Sequence, residues 1–142
     1  MIYAVDTCVL LDILLPDPVH GVSSKDLLNK AAKDGKLVIC PIVYAELSPQ
    51  FKTQDSLDIF LKETGIEILP FSREILWKGG EVWKAYIQKG GKRKDRIVPD
   101  FLIGAFSSVK AEAIITRDRD FYKTYFHLDA VYPYQIQPFK NA

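Results

Sequence analysis

The chain has 142 residues, 48% of them hydrophobic, which suits a single domain over residues 1–142 with a sizeable core. Its net charge of +1 excludes a global attraction to nucleic acid, so any such attraction has to be local. Cys8 and Cys40 form neither a disulfide framework nor a zinc spacing, no signal peptide is expected, and the longest apolar stretches fall far short of the ~20 residues of a membrane span. The expectation is a reduced, cytoplasmic protein with two buried free thiols.

In chain order, Ile2-Tyr3-Ala4-Val5 is an apolar run of the kind covered on both faces in a parallel sheet, and it leads straight into Asp6-Thr7. Val9 to Leu15, apolar except for Asp12, predicts a short helix stopped by Pro16. Ser23, with Asp26 three residues on, predicts a capped helix that buries Leu27, Leu28, Ala31 and Ala32 and ends at Asp34-Gly35. Lys36 to Cys40 is a second strand, after which Pro41 opens a helix over Ile42 to Leu47 that Pro49 ends. Another helix covers about Asp55 to Thr64, with Leu57, Phe60 and Leu61 on one face and Gly65 as its stop. Glu67 to Phe71 is a third strand. Ser72 starts a longer helix whose buried side is Ile75, Leu76, Val82, Trp83, Tyr86 and Ile87, broken by Gly90-Gly91.

Lys89, Lys92, Arg93, Lys94 and Arg96 then make the only dense basic cluster in the chain. Pro99 opens a nearly apolar helix, Asp100 to Val109, and Ala113 to Thr116 and Ala130 to Tyr132 are the last two strands. Strands alternating with helices throughout imply parallel pairing by right-handed crossovers, hence a three-layer α/β/α domain.

A few acids stand in apolar surroundings, where an unpaired carboxylate is costly. Asp6 ends an apolar strand. Glu46 lies in Ile42-Val43-Tyr44-Ala45-Glu46-Leu47, Asp100 is the sole charge between Ile97 and Val109, and Asp118 and Asp120 follow Ile114-Ile115-Thr116. Each has a plain alternative: Asp100 as a carboxylate at a helix start, Glu46 facing solvent, Asp118 and Asp120 as turn residues neutralised by Arg117 and Arg119. Their joint placement weighs against these, because Asp6 and Asp118 occupy strand carboxyl ends and Glu46 and Asp100 lie early on helices beginning beside them. Carboxylates gathered there repel and call for cations, and an all-oxygen set selects Mg²⁺ or Mn²⁺. No nucleophilic serine or cysteine elbow is present, and His20 and His127 sit in no catalytic context, so metal-activated water attacking a phosphate fits the parts available. The basic cluster would supply phosphate contacts; its plain alternative is a solvated loop.

With these residues assembled, the chain resembles the PIN-domain ribonucleases, and among them the VapC-type toxins of toxin–antitoxin pairs. The resemblance rests on Asp6-Thr7 with Val9-Leu10-Leu11-Asp12, on Tyr44-Ala45-Glu46-Leu47, on Pro99-Asp100-Phe101-Leu102-Ile103-Gly104-Ala105, and on Ile115-Thr116-Arg117-Asp118-Arg119-Asp120-Phe121. It implies Asp6, Glu46, Asp100 and Asp118 as catalytic metal-site acids, Glu46 often acting through water, with Asp120 an outer ligand or a turn cap. Thr7 and Thr116 would orient carboxylates, and Lys92, Arg93, Lys94 and Arg96 would meet the substrate. It also implies a sheet of five parallel strands, a homodimer, endonucleolytic cleavage of RNA leaving a 5′-phosphate, and an antitoxin that covers the acidic groove with a basic side chain. Pro41 and Phe106 depart from residues common in such proteins, which bears on substrate choice and antitoxin fit. The alternative is an RNA-processing PIN nuclease that works without an antitoxin. A phosphatase using Asp6 would need a second Asp where Cys8 stands, a receiver domain lacks its paired acids and lysine, and the intact acid set argues against an RNA-binding module without catalysis.

Overall fold

In the computed structural model, which describes residues 1–133, the apolar runs become the strands of one sheet. These are β1 (Ile2–Val5), β2 (Lys36–Ile39), β3 (Ile66–Ile68), β4 (Ala113–Ile115) and β5 (Asp129–Val131), in the order β3-β2-β1-β4-β5 with every pairing parallel. Among the described residues the α-helices are α1 (Thr7–Leu14), α2 (Gly21–Asp34), α3 (Pro41–Leu47), α4 (Gln54–Thr64), α5 (Arg73–Gln88), α6 (Val98–Lys110) and α7 (Arg119–Phe126). They cover the sheet to give the expected α/β/α layers. None is long and apolar enough to cross a membrane.

The chain fills the sheet in one direction from β1 to β3, then crosses back to β4 and continues the other way. Such a reversal leaves a crevice beyond the carboxyl ends of the strands on either side of it, here β1 and β4. Their register sets Val5 beside Ile115, so Asp6 and Thr116 leave the sheet as neighbours, and the Asp6 N–H donates to the Ile115 carbonyl at 2.9 Å.

Helix α6 is the packing centre on which this crevice rests. Its Phe101 is fully buried against Tyr86 of α5 (ring centroids 5.3 Å apart) and Phe121 of α7 (5.2 Å), and burying an aromatic ring of this kind stabilises by about 1.5–3 kcal/mol. A Cβ on Gly104 would fall inside the Phe126 ring, so glycine there lets α7 lie directly on α6. That close approach brings the first turn of α7 to the end of β1.

Several sequence expectations shift. Helix α1 begins at Thr7 rather than Val9, because Asp6 caps it and starts the first turn at the strand end. Helix α2 begins at Gly21 after His20, so Ser23 and Asp26 are not its capping box; the neighbouring Ser24 is instead buried and donates to Asp12. Ala32 and Leu76, expected inside, are exposed, and Leu76 lies 44% open beside Trp77. The third strand is Ile66–Ile68 rather than Glu67–Phe71: Gly65, at φ 71°, ends α4 abruptly and Ile66 pairs with Leu37 at once, while the Leu69 N–H makes a last bond to the Ile39 carbonyl at 3.0 Å and Phe71 packs on the core beyond the strand. The last strand starts one residue early, at Asp129. Cys40 is buried, but Cys8 is only partly so. Helix α7 was not expected at all.

Candidate active site

Asp6 sits where β1 turns into α1, and 9% of its surface remains open. Its Oδ1 accepts the Thr7 N–H at 2.8 Å, the capping bond of α1. Its Oδ2 accepts two hydroxyls, Thr116 at 2.7 Å and Tyr122 at 3.2 Å. Burial raises the Asp6 pKa above the usual carboxylate range and the charge of Asp118 adds to the rise, while the three donors work against it.

The two threonines extend the cluster. The Thr7 hydroxyl donates to Glu46 Oε1 at 2.6 Å, joining the first turn of α1 to an exposed glutamate on α3. Thr116, fully buried, donates to Asp6 and accepts the Asp118 N–H at 2.9 Å, so one hydroxyl ties the ends of β1 and β4 together. Asp118 is in turn paired with Arg96, whose Nη1 lies 2.6 Å from Oδ2. The Arg96 guanidinium also sits over Phe121, 4.3 Å from the ring centroid.

Asp100, in the first turn of α6, accepts the Ile97 N–H at 3.1 Å. It belongs to the same electrostatic neighbourhood without a direct bond to the other acids. The Tyr122 hydroxyl is pushed up by burial first, then by Asp6, and also by Asp100 and Asp118; Asp118 and Asp100 both raise Arg96. Five of the expected residues, Asp6, Thr7, Glu46, Thr116 and Asp118, are thus joined by hydrogen bonds, and Asp100 is coupled to them by charge.

Asp120 is not brought into this group. It is exposed in the first turn of α7 and faces a surface cleft of about 300 Å³ shared with Asp95, Arg96 and Tyr125. The basic cluster divides: Lys92 and Lys94 are exposed, Arg93 stacks over Trp83 at 5.0 Å, and Arg96 turns back onto Asp118.

Sequence reasoning missed three participants. Tyr122 reaches Asp6 only because α7 exists; Phe121, Tyr122, Tyr125 and Phe126 have the spacing of one helix face, and that was the available signal. Arg117, which the turn-residue alternative made a neutralising neighbour of Asp118, grips Asp12, with Nε at 2.9 Å and Nη2 at 3.1 Å. Asp12 is 4% exposed and also accepts Ser24 Oγ at 2.8 Å, so the residue after Thr116 anchors α1 and α2 to the end of β4.

The chemistry of the donors fits a hard divalent cation: carboxylate and hydroxyl oxygens only, with mutually repelling charges that such an ion would offset. Burial, and then the charge of Asp6, push the nearby Cys8 thiol up to about 12. As the side chains stand, no three His, Cys, Asp or Glu of the described residues are grouped to hold an ion. The partners already named account for this: Arg96 holds Asp118, a backbone N–H holds Asp100, and Thr7 holds Glu46.

A family model for the PIN domain matches residues 3–127. No curated protein matches the chain. Among solved structures, it is similar to VapBC2 from Rickettsia felis bound to a DNA fragment from its promoter, at 26% identity over 93% of this chain and 98% of that one, TM-score 0.73. It shares its fold with VapBC-1 from nontypeable Haemophilus influenzae (18% identity, 94% and 99% covered, TM-score 0.72). The same holds for a toxin–antitoxin complex from Klebsiella pneumoniae (18% identity, 93% and 98% covered, TM-score 0.64).

Proposed function

Because the chain belongs to the PIN-domain family, we propose that it is the nuclease of a toxin–antitoxin pair, an endoribonuclease that hydrolyses RNA with Mg²⁺ or Mn²⁺. The observation that carries this reading is the Thr116 hydroxyl, which donates to Asp6 while accepting the Asp118 N–H. One buried hydroxyl ties the carboxylate of Asp6 to the backbone of Asp118, residues from opposite ends of the chain, at the switch point of a parallel sheet, which is where such sheets bind ligands.

Asp6, Asp100 and Asp118 would hold the ion directly and Glu46 through water. A divalent ion in that position lowers the pKa of water and offsets charge building on the phosphate. The protein's own share is orientation. Three donors oppose the rise that burial gives the Asp6 pKa, and Thr7 fixes Glu46 toward the same edge. The exposed Lys92 and Lys94 would bind phosphates flanking the cut, with Arg96 closest to the acids.

The matched toxin–antitoxin structures favour a protein partner for this chain as well. The exposed Leu15 and Val19, between α1 and α2, and Val22, in the first turn of α2, are apolar side chains that such a partner would cover, and we expect the chain to act as a homodimer.

The test is cleavage of a long RNA by the purified chain in Mg²⁺, with the product ends mapped. We expect 5′-phosphate ends, loss of cutting with a chelator, and loss by more than 100-fold in Asp100→Asn. Undiminished cutting by that variant would remove Asp100 from the reaction. Co-expression with the product of the neighbouring gene, followed by size-exclusion chromatography, tests the partner.

A further inference from the structure

The arginine at the end of the basic loop has two possible employers, an acid and a phosphate, and the structure holds it on the acid. Arg96 contacts Asp118 through Nη1 alone, which leaves most of its five-donor fork free. Its guanidinium lies on the face of Phe121, a ring that is 2% exposed and packed edge-on against Phe101 and Tyr122, so this support cannot shift. The ion pair itself is open on both sides, each side chain being 30% exposed. Beside it lies the cleft of about 300 Å³ bordered by Tyr86, Asp120 and Tyr125, which gives the side chain room to pivot over the ring. The neighbouring Arg93 has no such choice, since it is stacked on Trp83 away from the acids.

We propose that Arg96 is an exchangeable counter-ion of Asp118: it occupies Oδ2 until a divalent cation takes that oxygen, and it is thereby released to an RNA phosphate. The inference rests on the metal-nuclease reading above. A guanidinium 2.6 Å from Oδ2 and a divalent cation at the same oxygen repel each other strongly, so the two compete for it. Binding the ion at Oδ2 therefore loosens the single contact that holds Arg96, and the freed fork is shaped for a phosphate. Ion and RNA then favour each other's binding, each freeing what the other needs.

The test is calorimetric titration of Mn²⁺ into chelator-treated protein for the unaltered chain, Arg96→Gln and Arg93→Gln, with thermal melts confirming that each is folded. Removing the competitor should tighten Mn²⁺ binding about tenfold in Arg96→Gln. Arg93→Gln loses the same charge from the same loop and should stay within about twofold of the unaltered chain. Equal or weaker binding by Arg96→Gln would overturn the proposal and make Arg96 a residue that merely positions Asp118. Equal tightening in both variants would also overturn it, in favour of a general charge effect. Absence of Mn²⁺ binding by the unaltered chain would instead defeat the metal-nuclease reading itself.

Discussion

Replacing Thr116 with valine keeps the shape of a fully buried side chain and deletes one hydroxyl. Two hydrogen bonds go with it: the one Asp6 Oδ2 accepts at 2.7 Å and the one Asp118 N–H donates at 2.9 Å. A hydrogen bond to a charged group contributes about 1.5–3 kcal/mol, and a donor left buried without a partner costs about 1–3 kcal/mol. The two losses share one atom and are not additive, so a total of about 2–4 kcal/mol is expected. An unfolding entropy of about 2.1 cal/mol/K per residue gives about 0.3 kcal/mol/K for a chain of this length, so Tm should fall by about 7–13 °C at pH 7. Thr116→Ser keeps the hydroxyl and loses a methyl group, costing about 1 kcal/mol. Circular-dichroism melts of both variants at pH 7 and pH 4 provide the assay. The valine penalty should shrink from pH 7 toward pH 4, because the raised pKa of Asp6 makes its carboxyl take up a proton earlier and need its donors less. A Thr116→Val protein melting within 2 °C of the unaltered chain, or a serine variant equally damaged, would refute the idea that one hydroxyl binds the two strand ends.

Three further outcomes follow from the same geometry. Burial raises the Asp6 pKa, so its contribution to stability is fully present below the ordinary value of 3.8 and is lost as pH rises through the value in the fold. Asp6→Asn should therefore melt higher than the unaltered chain at pH 7.5, with the gap closing toward pH 4; a lower melting point at pH 7.5 would contradict this. Asp12→Ala strands Arg117 and Ser24, and because Arg117 is about a third exposed the loss should be about 2–3 kcal/mol, read from urea midpoints. Changing Lys92 and Lys94 together to glutamine should flatten the dependence of log K for RNA on log salt by about 1.4, at about 0.7 per phosphate contact to a single strand, measured by fluorescence anisotropy.

What was legible in the sequence was whatever a period or a misplaced charge announces. Residues 4–5, 37–39 and 113–115 are buried on both faces and therefore read as unbroken apolar runs. The acids at their ends stood out because charge is costly there. The third strand was misplaced since Leu69 and Phe71 are as apolar as a strand, though the strand had already ended at Ile68. Helix α7 was obscured by its own composition. Its buried face is aromatic, its other face is charged, and the preceding acids drew attention to a turn. With it went Tyr122, whose hydroxyl donates to Asp6 from the helix that packs on α6 through Phe121 and Phe126. The partners of Arg117 and Arg96 were beyond reach for another reason. Both are chosen by how β1, β4 and α6 meet in space, and local charge order, which pointed Arg117 at Asp118, carries no trace of that.

The central claim is that Asp6, Asp100 and Asp118 share one divalent ion. Anomalous diffraction from crystals grown with Mn²⁺ tests it most directly. The account predicts a manganese peak bound by oxygens of these three side chains, with Arg96 moved off Asp118. Manganese found elsewhere, or acids still turned to their present partners at saturating Mn²⁺, would contradict it.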